Sequence, residues 1–328
     1  MIEKTIENIT SFADLAAWRR ENMNEAANSY KELNELHDAL MSSIVQLSIQ
    51  QIEAEQGNLP ARFSFFIMGS AGRKEQAIWS DQDHAIVHEG NADDDIIFRG
   101  LGKEIVKGME ICGYEPCEGK VMAEEPRWCK SKSAMEEQVK GWLEEAEWED
   151  IRHTLILFDS RTLYGSKESN QNLKEVMFNY ARFRESIRLK VVENTIFRQR
   201  RRNIFGQILT DKQGFINFKT AVLFPYVNAA RIAALIEGLQ ITETEERMKK
   251  LNNVFPQMDH FHASFAEALA FRHEKTKHIT SYEYVHHLKL DDLTTEEKNM
   301  IKRWMKDGKE MLDQVQSYYL KKERKKKV

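Results

Sequence analysis

Over most of this chain apolar residues recur at three- and four-residue steps, a periodicity that leaves little room for sheet. It runs through residues 11–56, where Leu33, Leu36, Leu40, Ile44 and Leu47 share a face, and Gly57, Asn58 and Pro60 then stop it. It returns from about 168 to 320, with breaks near Gly214, Gly238, Pro256 and residues 290–295. Only residues 57–165 carry short apolar runs separated by Gly, Pro and Asp. The expected fold class is therefore α+β. A helical lead covers 1–56, a small mixed α/β core 57–165 and a helical bundle 166–320, and a basic tail covers 321–328.

Within the core, Phe63 to Met68 and His84 to His88 read as strands. Residues 94–112 return to helical spacing through Ile97, Leu101, Ile105 and Met109. The stretch from Cys112 to Pro126 holds Gly113, Pro116 and Gly119 and reads as a turn followed by a short strand at Val121 to Ala123. Residues 131–149 are helical in pattern, and Thr154 to Phe158 fits either a strand or a buried helix. Three or four short strands are too few for a doubly wound sheet. No G-x-G-x-x-G follows a strand, which excludes a Rossmann domain. Further on, Thr294 or Thr295 with Glu296 and Glu297 marks a helix start.

Composition narrows the function. With 48 basic against 52 acidic residues the net charge is −4, so no global positive field exists to hold a duplex. The three cysteines, Cys112, Cys117 and Cys129, match no zinc spacing and read as small buried or half-buried thiols of a reducing compartment. No apolar run reaches membrane-span length and no signal peptide is visible, so a cytoplasmic protein with no membrane partner is expected. The cluster Phe197 to Arg202 and the tail from Lys321 read as solvated basic runs; facing a cleft, the first could also hold a triphosphate or an acidic substrate. Lys219 and Arg231, in otherwise apolar helical sequence, are candidates to line a substrate cleft. Trp128 reads as core, with stacking on a base as the other option, and the His286–His287 pair is assigned nothing.

The chemistry concentrates between Phe63 and Val87. A strand delivers Gly69-Ser70 to a tight turn, a short helix from about Gly72 to Ile78 follows, and the chain enters the second strand through Asp81-Gln82-Asp83. Gly69 lets backbone approach a phosphate, and free amides with the Ser70 hydroxyl can donate to it. Arg73 and Lys74 stand near enough to neutralise phosphate charge. Alternate residues of a strand share a face, so Asp81 and Asp83 point the same way. Two close carboxylates resist joint ionisation, and a divalent cation relieves the conflict.

This block, MGSAGRKEQAIWSDQDHAIV, resembles the signature of the DNA polymerase β-like nucleotidyltransferase superfamily. More closely it resembles bacterial nucleotidyltransferases allied to the uridylyltransferase of the PII signalling protein. It matches their pattern at Gly69, Ser70, Gly72, Arg73, Glu75, Gln76, Asp81, Gln82, Asp83 and Ala85. GYEPCEGKVMAEEPRWCKS is similar to the family's second block around Cys117, Gly119, Val121 to Ala123, Pro126 and Trp128; LFDSRTLYG resembles a further block at Asp159, Arg161 and Gly165. INFKTAVLFPYVNAARIAALIEG resembles the family's C-terminal substrate-binding domain. The CBS or cyclic-nucleotide modules often fused to such proteins are not seen.

The resemblance implies a polymerase β-like core that transfers a nucleotidyl group from an NTP to an acceptor hydroxyl, on a protein or a small molecule, with release of pyrophosphate. Mg²⁺ or Mn²⁺ would sit on Asp81 and Asp83. The superfamily's third carboxylate is assigned to Asp159, a structural Asp–Arg contact being the other reading, with Glu124 and Glu125 as alternatives. Gly69, Ser70, Arg73 and Lys74 would receive the triphosphate. A non-catalytic nucleotide-binding regulator on the same fold, and an RNA-tailing enzyme, are the competing readings; the acidic balance argues against the latter.

Overall fold

The computed structural model describes residue 6 and residues 9–195 and 208–325, with side chains to residue 322. It is mixed α+β and 66% helical. Two compact units form. The first comprises Met1–Gly141, Asp159–Val176 and Lys277–Tyr282; the second comprises Trp142–Phe158, Met177–Thr276 and Glu283–Val328. The basic cluster Phe197 to Arg202 and the last three residues of the tail lie outside the described residues.

The first unit opens with α1 (Phe12–Ala26) and α2 (Tyr30–Gln56). The expected single helical stretch is thus broken at Ala27–Ser29, because Ser29 is extended and accepts the Glu32 amide as an N-cap. Then come β1 (Phe63–Ile67), a four-residue turn of helix α3 (Gly69–Gly72), β2 (His84–His88) and α4 (Asp95–Ile111). The unit's sheet is completed by β3 (Cys129–Ser131) and β4 (Arg161–Tyr164), in the order β3-β2-β1-β4. β1 is antiparallel to β2, with Phe63 opposite His88 and Ile67 opposite His84, and antiparallel to β4; β2 runs parallel to β3. Every residue of β1 and β2 is buried.

Helices α1, α2 and α4 pack on one another, and α4 lies on β2 and β3. They approach closely: a Cβ on Gly108 would stand 2.7 Å from the Phe12 ring and 2.8 Å from Ile44. The N-terminus of α4 is tied to the sheet through Asp95, whose carboxylate accepts from His88 at 2.8 Å and from the Ser131 amide at 3.3 Å.

Two local expectations are corrected, and one reading left open between strand and buried helix is decided for helix. The helix expected from Gly72 to Ile78 is the single turn α3, ended where Lys74 takes φ +56°. Val121 to Ala123 is not a strand; it runs beside β2 through a His84 amide to Val121 carbonyl bond of 2.9 Å, and the strand lies further on at Cys129–Ser131. Thr154 to Phe158 is helical, and the apolar run leads into β4 rather than forming it.

The remaining elements are α5 (Lys132–Glu145), α6 (Trp148–Phe158), α7 (Glu168–Phe183), α8 (Glu185–Asn194), β5 (Phe215–Asn217), α9 (Phe224–Glu237), α10 (Thr244–Leu251), α11 (Met258–Thr276), β6 (His287–Lys289) and α12 (Thr295–Lys325). In the second unit α9 packs on α10 and α12, and α11 on α10 and α12. Gly308 lets the Tyr226 ring approach to 2.6 Å of where a Cβ would be, and the Tyr226 hydroxyl donates to the Trp304 carbonyl. The reciprocal bonds between Thr294 and Glu297 form the expected cap of α12. The two-stranded sheet β5-β6 interrupts what the sequence presents as continuous helix; three-residue strands leave no periodic trace. Among the described residues one helical stretch, Lys219–Glu237, is long and apolar enough to cross a membrane, but 72% of that window is buried inside the fold.

His37 on α2 ties together three segments of the first unit. Its Nε2 faces the Ala77 carbonyl at 2.9 Å and its Nδ1 the Tyr114 hydroxyl at 2.8 Å, an arrangement suited to a neutral ring. Burial, reinforced by the charge of Arg19, pushes its pKa down to about 3 from 6.5. Below pH 6.5 the unfolded chain takes up a proton that the folded chain refuses, so stability is full above that pH and falls as acid is added. We expect His37 alone to cost about 1.4 kcal/mol per pH unit in that window. Urea unfolding across the window should show a slope to which buried His84 and His286 also contribute, and His37→Gln should lower it by about 1.4 kcal/mol per pH unit.

Candidate active site

The turn after β1 and the approach to β2 are built against each other. The Met68 amide donates to the Asp83 carbonyl at 2.8 Å, extending the β1–β2 pairing by one step. Gly69 then takes φ +56°, and a Cβ there would meet Asp83 Oδ2 at 2.0 Å. Glycine is therefore required both for the backbone and for the carboxylate that lies on it.

Asp81 makes a parallel bridge with Glu115, and Gln82 donates its amide to the Glu115 carbonyl at 2.9 Å. Gln82 turns inward; its side chain reaches the Tyr114 carbonyl at 3.1 Å and His84 Nε2 at 3.1 Å. The opposite face carries Asp81 and Asp83, both half-buried. One oxygen of each carboxylate and the Cys117 thiol lie within 4.8 Å of one another.

The neighbours register this concentration of negative charge. Burial pushes the Cys117 thiol up to about 12, and the charge of Asp83, to which it is hydrogen-bonded, adds to the effect. Burial also raises the Tyr282 phenol above its ordinary value, helped by Asp81, with which it shares a hydrogen bond, and by Asp83. Both groups stay protonated beside the carboxylates. Two carboxylates and a thiol on one side of a glycine cradle form a donor set that fits a divalent cation.

Arg73 and Asp159 lie elsewhere. Arg73 is buried, with Nε 2.8 Å from Glu75 and NH1 2.7 Å from Asp159, whose side chain has no exposure. Burial would favour the neutral guanidine, but the two carboxylates outweigh it and raise its pKa. The Asp159 carbonyl sits so close to Gly72 that a Cβ there would stand 1.9 Å from it. Arg161 completes the clamp, donating to the Ala71 carbonyl at 3.0 Å and to Asp38 at 2.5 Å. The structure thus brings Asp81 and Asp83 together and puts Asp159 in a buried ion pair with Arg73, outside that group.

Of the other sequence candidates, Ser70 is half-buried in the turn, and Lys74 is exposed, its carbonyl accepting from the Tyr30 hydroxyl at 2.8 Å. Glu124 and Glu125 are outside the acidic group, and Glu125 faces Lys120 at 3.8 Å. Trp128 is fully buried in the core. In the second unit Lys219 stands 3.4 Å from His286, and Arg231 donates to Asn228 at 3.3 Å.

Two members of the site escape motif reasoning. Cys117 was visible only as part of a resemblance block. Tyr282 belongs to a segment far downstream that returns to the first unit, where Trp79 donates its indole N–H to the Ile279 carbonyl at 2.6 Å.

The two carboxylate sets should respond differently to substitution. Asp159→Asn leaves a buried guanidinium short of one partner and should cost about 3 kcal/mol in urea unfolding. Asp83→Asn relieves like-charge crowding and should leave the unfolding midpoint unchanged or higher. Equal losses in the two variants would contradict this division of roles.

Comparison with known proteins agrees with the geometry. Residues 11–149 match the family described as "Putative nucleotidyltransferase DUF294". Residues 186–319 match "Putative nucleotidyltransferase substrate binding domain". No curated protein matches the chain. With both modules present in order over most of its length, the chain belongs to the DUF294 nucleotidyltransferase family and carries that family's C-terminal substrate-binding domain.

Proposed function

We propose that this protein is a metal-dependent nucleotidyltransferase that moves a nucleotidyl group from an NTP to an acceptor hydroxyl. The observation that carries the reading is the convergence of Asp81 and Asp83 beside the Gly69 turn in a chain of this family. Asp81 and Asp83 would hold Mg²⁺ or Mn²⁺, which when bound supplies charge neutralisation for the triphosphate and polarisation at the α-phosphorus. Gly69 and Ser70 offer backbone amides and a hydroxyl to phosphate oxygens, and exposed Lys74 adds a cation at the rim.

The acceptor hydroxyl gives up its proton to solvent as its oxygen attacks the α-phosphorus, the new O–P bond forms, the α–β phosphoanhydride breaks and pyrophosphate leaves. Arg73, Asp159 and Arg161 act at one remove by holding the turn at the distance the reaction needs. On this reading Asp159 is a positioning residue, not a third metal ligand. The free cysteines among the described residues suit a cytoplasmic setting. The acceptor is a protein or small molecule.

The test is transfer of label from each α-labelled NTP to components of a cell lysate by the purified protein with Mg²⁺ or Mn²⁺. Asp81→Ala and Asp83→Ala should each lower transfer about a hundredfold or more while unfolding normally in urea. Undiminished labelling in both variants would refute the proposal. Metal-dependent NTP binding without pyrophosphate release would make the protein a nucleotide sensor instead.

A further inference from the structure

The acidic group contains a donor that is not an oxygen, and its position is set by the same backbone that sets the carboxylates. Asp81 bridges to Glu115, two residues before Cys117. On the other side the Cys117 carbonyl accepts the Lys120 amide at 2.9 Å, closing a turn in which Lys120 takes φ +53°. Val121 then bonds to His84 at the start of β2, next to Asp83. Cys117 is thus pinned from both ends against the Asp81–Asp83 segment, and its thiol lies within 4.8 Å of an oxygen from each.

The other carboxylates the sequence offered, Asp159, Glu124 and Glu125, stand outside the group. Asp159 is committed to Arg73, and Glu125 faces Lys120. Cys112 and Cys129 are buried and belong to no such group among the described residues.

We propose that Cys117 is the third protein ligand of this site, making it a mixed oxygen–sulfur centre that binds Zn²⁺ or Co²⁺ more tightly than Mg²⁺. The inference rests on the reading above that Asp81 and Asp83 hold a divalent ion. Donors at the tetrahedral angle on one ion stand about 3.6 Å apart, from metal–oxygen and metal–sulfur bonds of about 2.1 and 2.3 Å. The three donors, within 4.8 Å of one another, close to this by side-chain rotations of about 1 Å. Mg²⁺ takes oxygen ligands and gains little from sulfur, whereas Zn²⁺ and Co²⁺ accept thiolate readily. As the sulfur–metal bond forms, the thiol proton passes to solvent. The identity of the ion then depends on one sulfur atom.

The experiment uses the full chain, stripped of metal and titrated with Co²⁺, and reads the near-ultraviolet thiolate-to-cobalt charge-transfer band. Wild type should develop the band at one equivalent, and Cys117→Ser should lose it. The same variant should bind Zn²⁺ at least about tenfold more weakly while its Mn²⁺ affinity, read by electron paramagnetic resonance, stays within about threefold. Urea unfolding of Cys117→Ser checks that the fold is kept; should it be lost, Cys117→Ala carries the same comparison.

Mn²⁺ binding with no cobalt band in wild type would overturn the proposal and leave the carboxylate site standing. A band that survives in Cys117→Ser would overturn it equally. No binding of any divalent ion, with or without NTP, would remove both the proposal and the reading beneath it.

Discussion

A guanidinium sealed inside the protein determines where everything else in the site can be. Arg73 has almost no access to water, and Glu75 and Asp159 balance its charge from two directions. A buried cation of this kind is costly to leave unpaired, so the three residues must close together or the first unit does not close. Closing them draws Asp159, the start of β4 and the turn after β1 to one point. Gly72 allows the last step, because only a residue without a Cβ can lie against the Asp159 carbonyl. The ion triad does its work by fixing distances, and the chemistry is left to groups a few residues away.

Those groups are arranged by simpler means. A strand alternates its side chains, so Gln82 is taken into the core by Tyr114 and His84 while Asp81 and Asp83 are turned out together. Gly69 gives the second carboxylate a place to rest. The site therefore gathers two acids on one side of the turn. Cys117 and Tyr282 keep their protons in the field of the two acids, as donors next to anions should.

What could be read from the sequence follows the reach of each physical rule. Period-two alternation acts between adjacent residues, so the shared face of Asp81 and Asp83 was visible, as were β1, β2 and the cap at Thr294. Strands of three residues, such as Cys129–Ser131 and Phe215–Asn217, are too short to show any period, and their places are set by partners far off in sequence. The apolar run before Asp159 could not choose between helix and strand until the turn at Asp159–Ser160 was known. Asp159 itself displays a carboxylate at a position suited to a site, and nothing local says that an arginine 86 residues earlier claims it. Tyr282 is the extreme case, since its neighbourhood carries no motif and only the returning chain brings it to Asp81.

That return has a practical corollary for dissecting the protein. The nucleotidyltransferase match ends at residue 149, yet the first unit also recruits Asp159–Val176 and the six residues Lys277–Tyr282. A fragment cut at the family boundary would forfeit Asp159 from beside Arg73, the acceptor for the Trp79 indole, and the phenol beside Asp81. The halves recognised by sequence are thus not separable pieces of polypeptide. Family borders and the borders of compact packing differ here, and the ribbon between them is shared property.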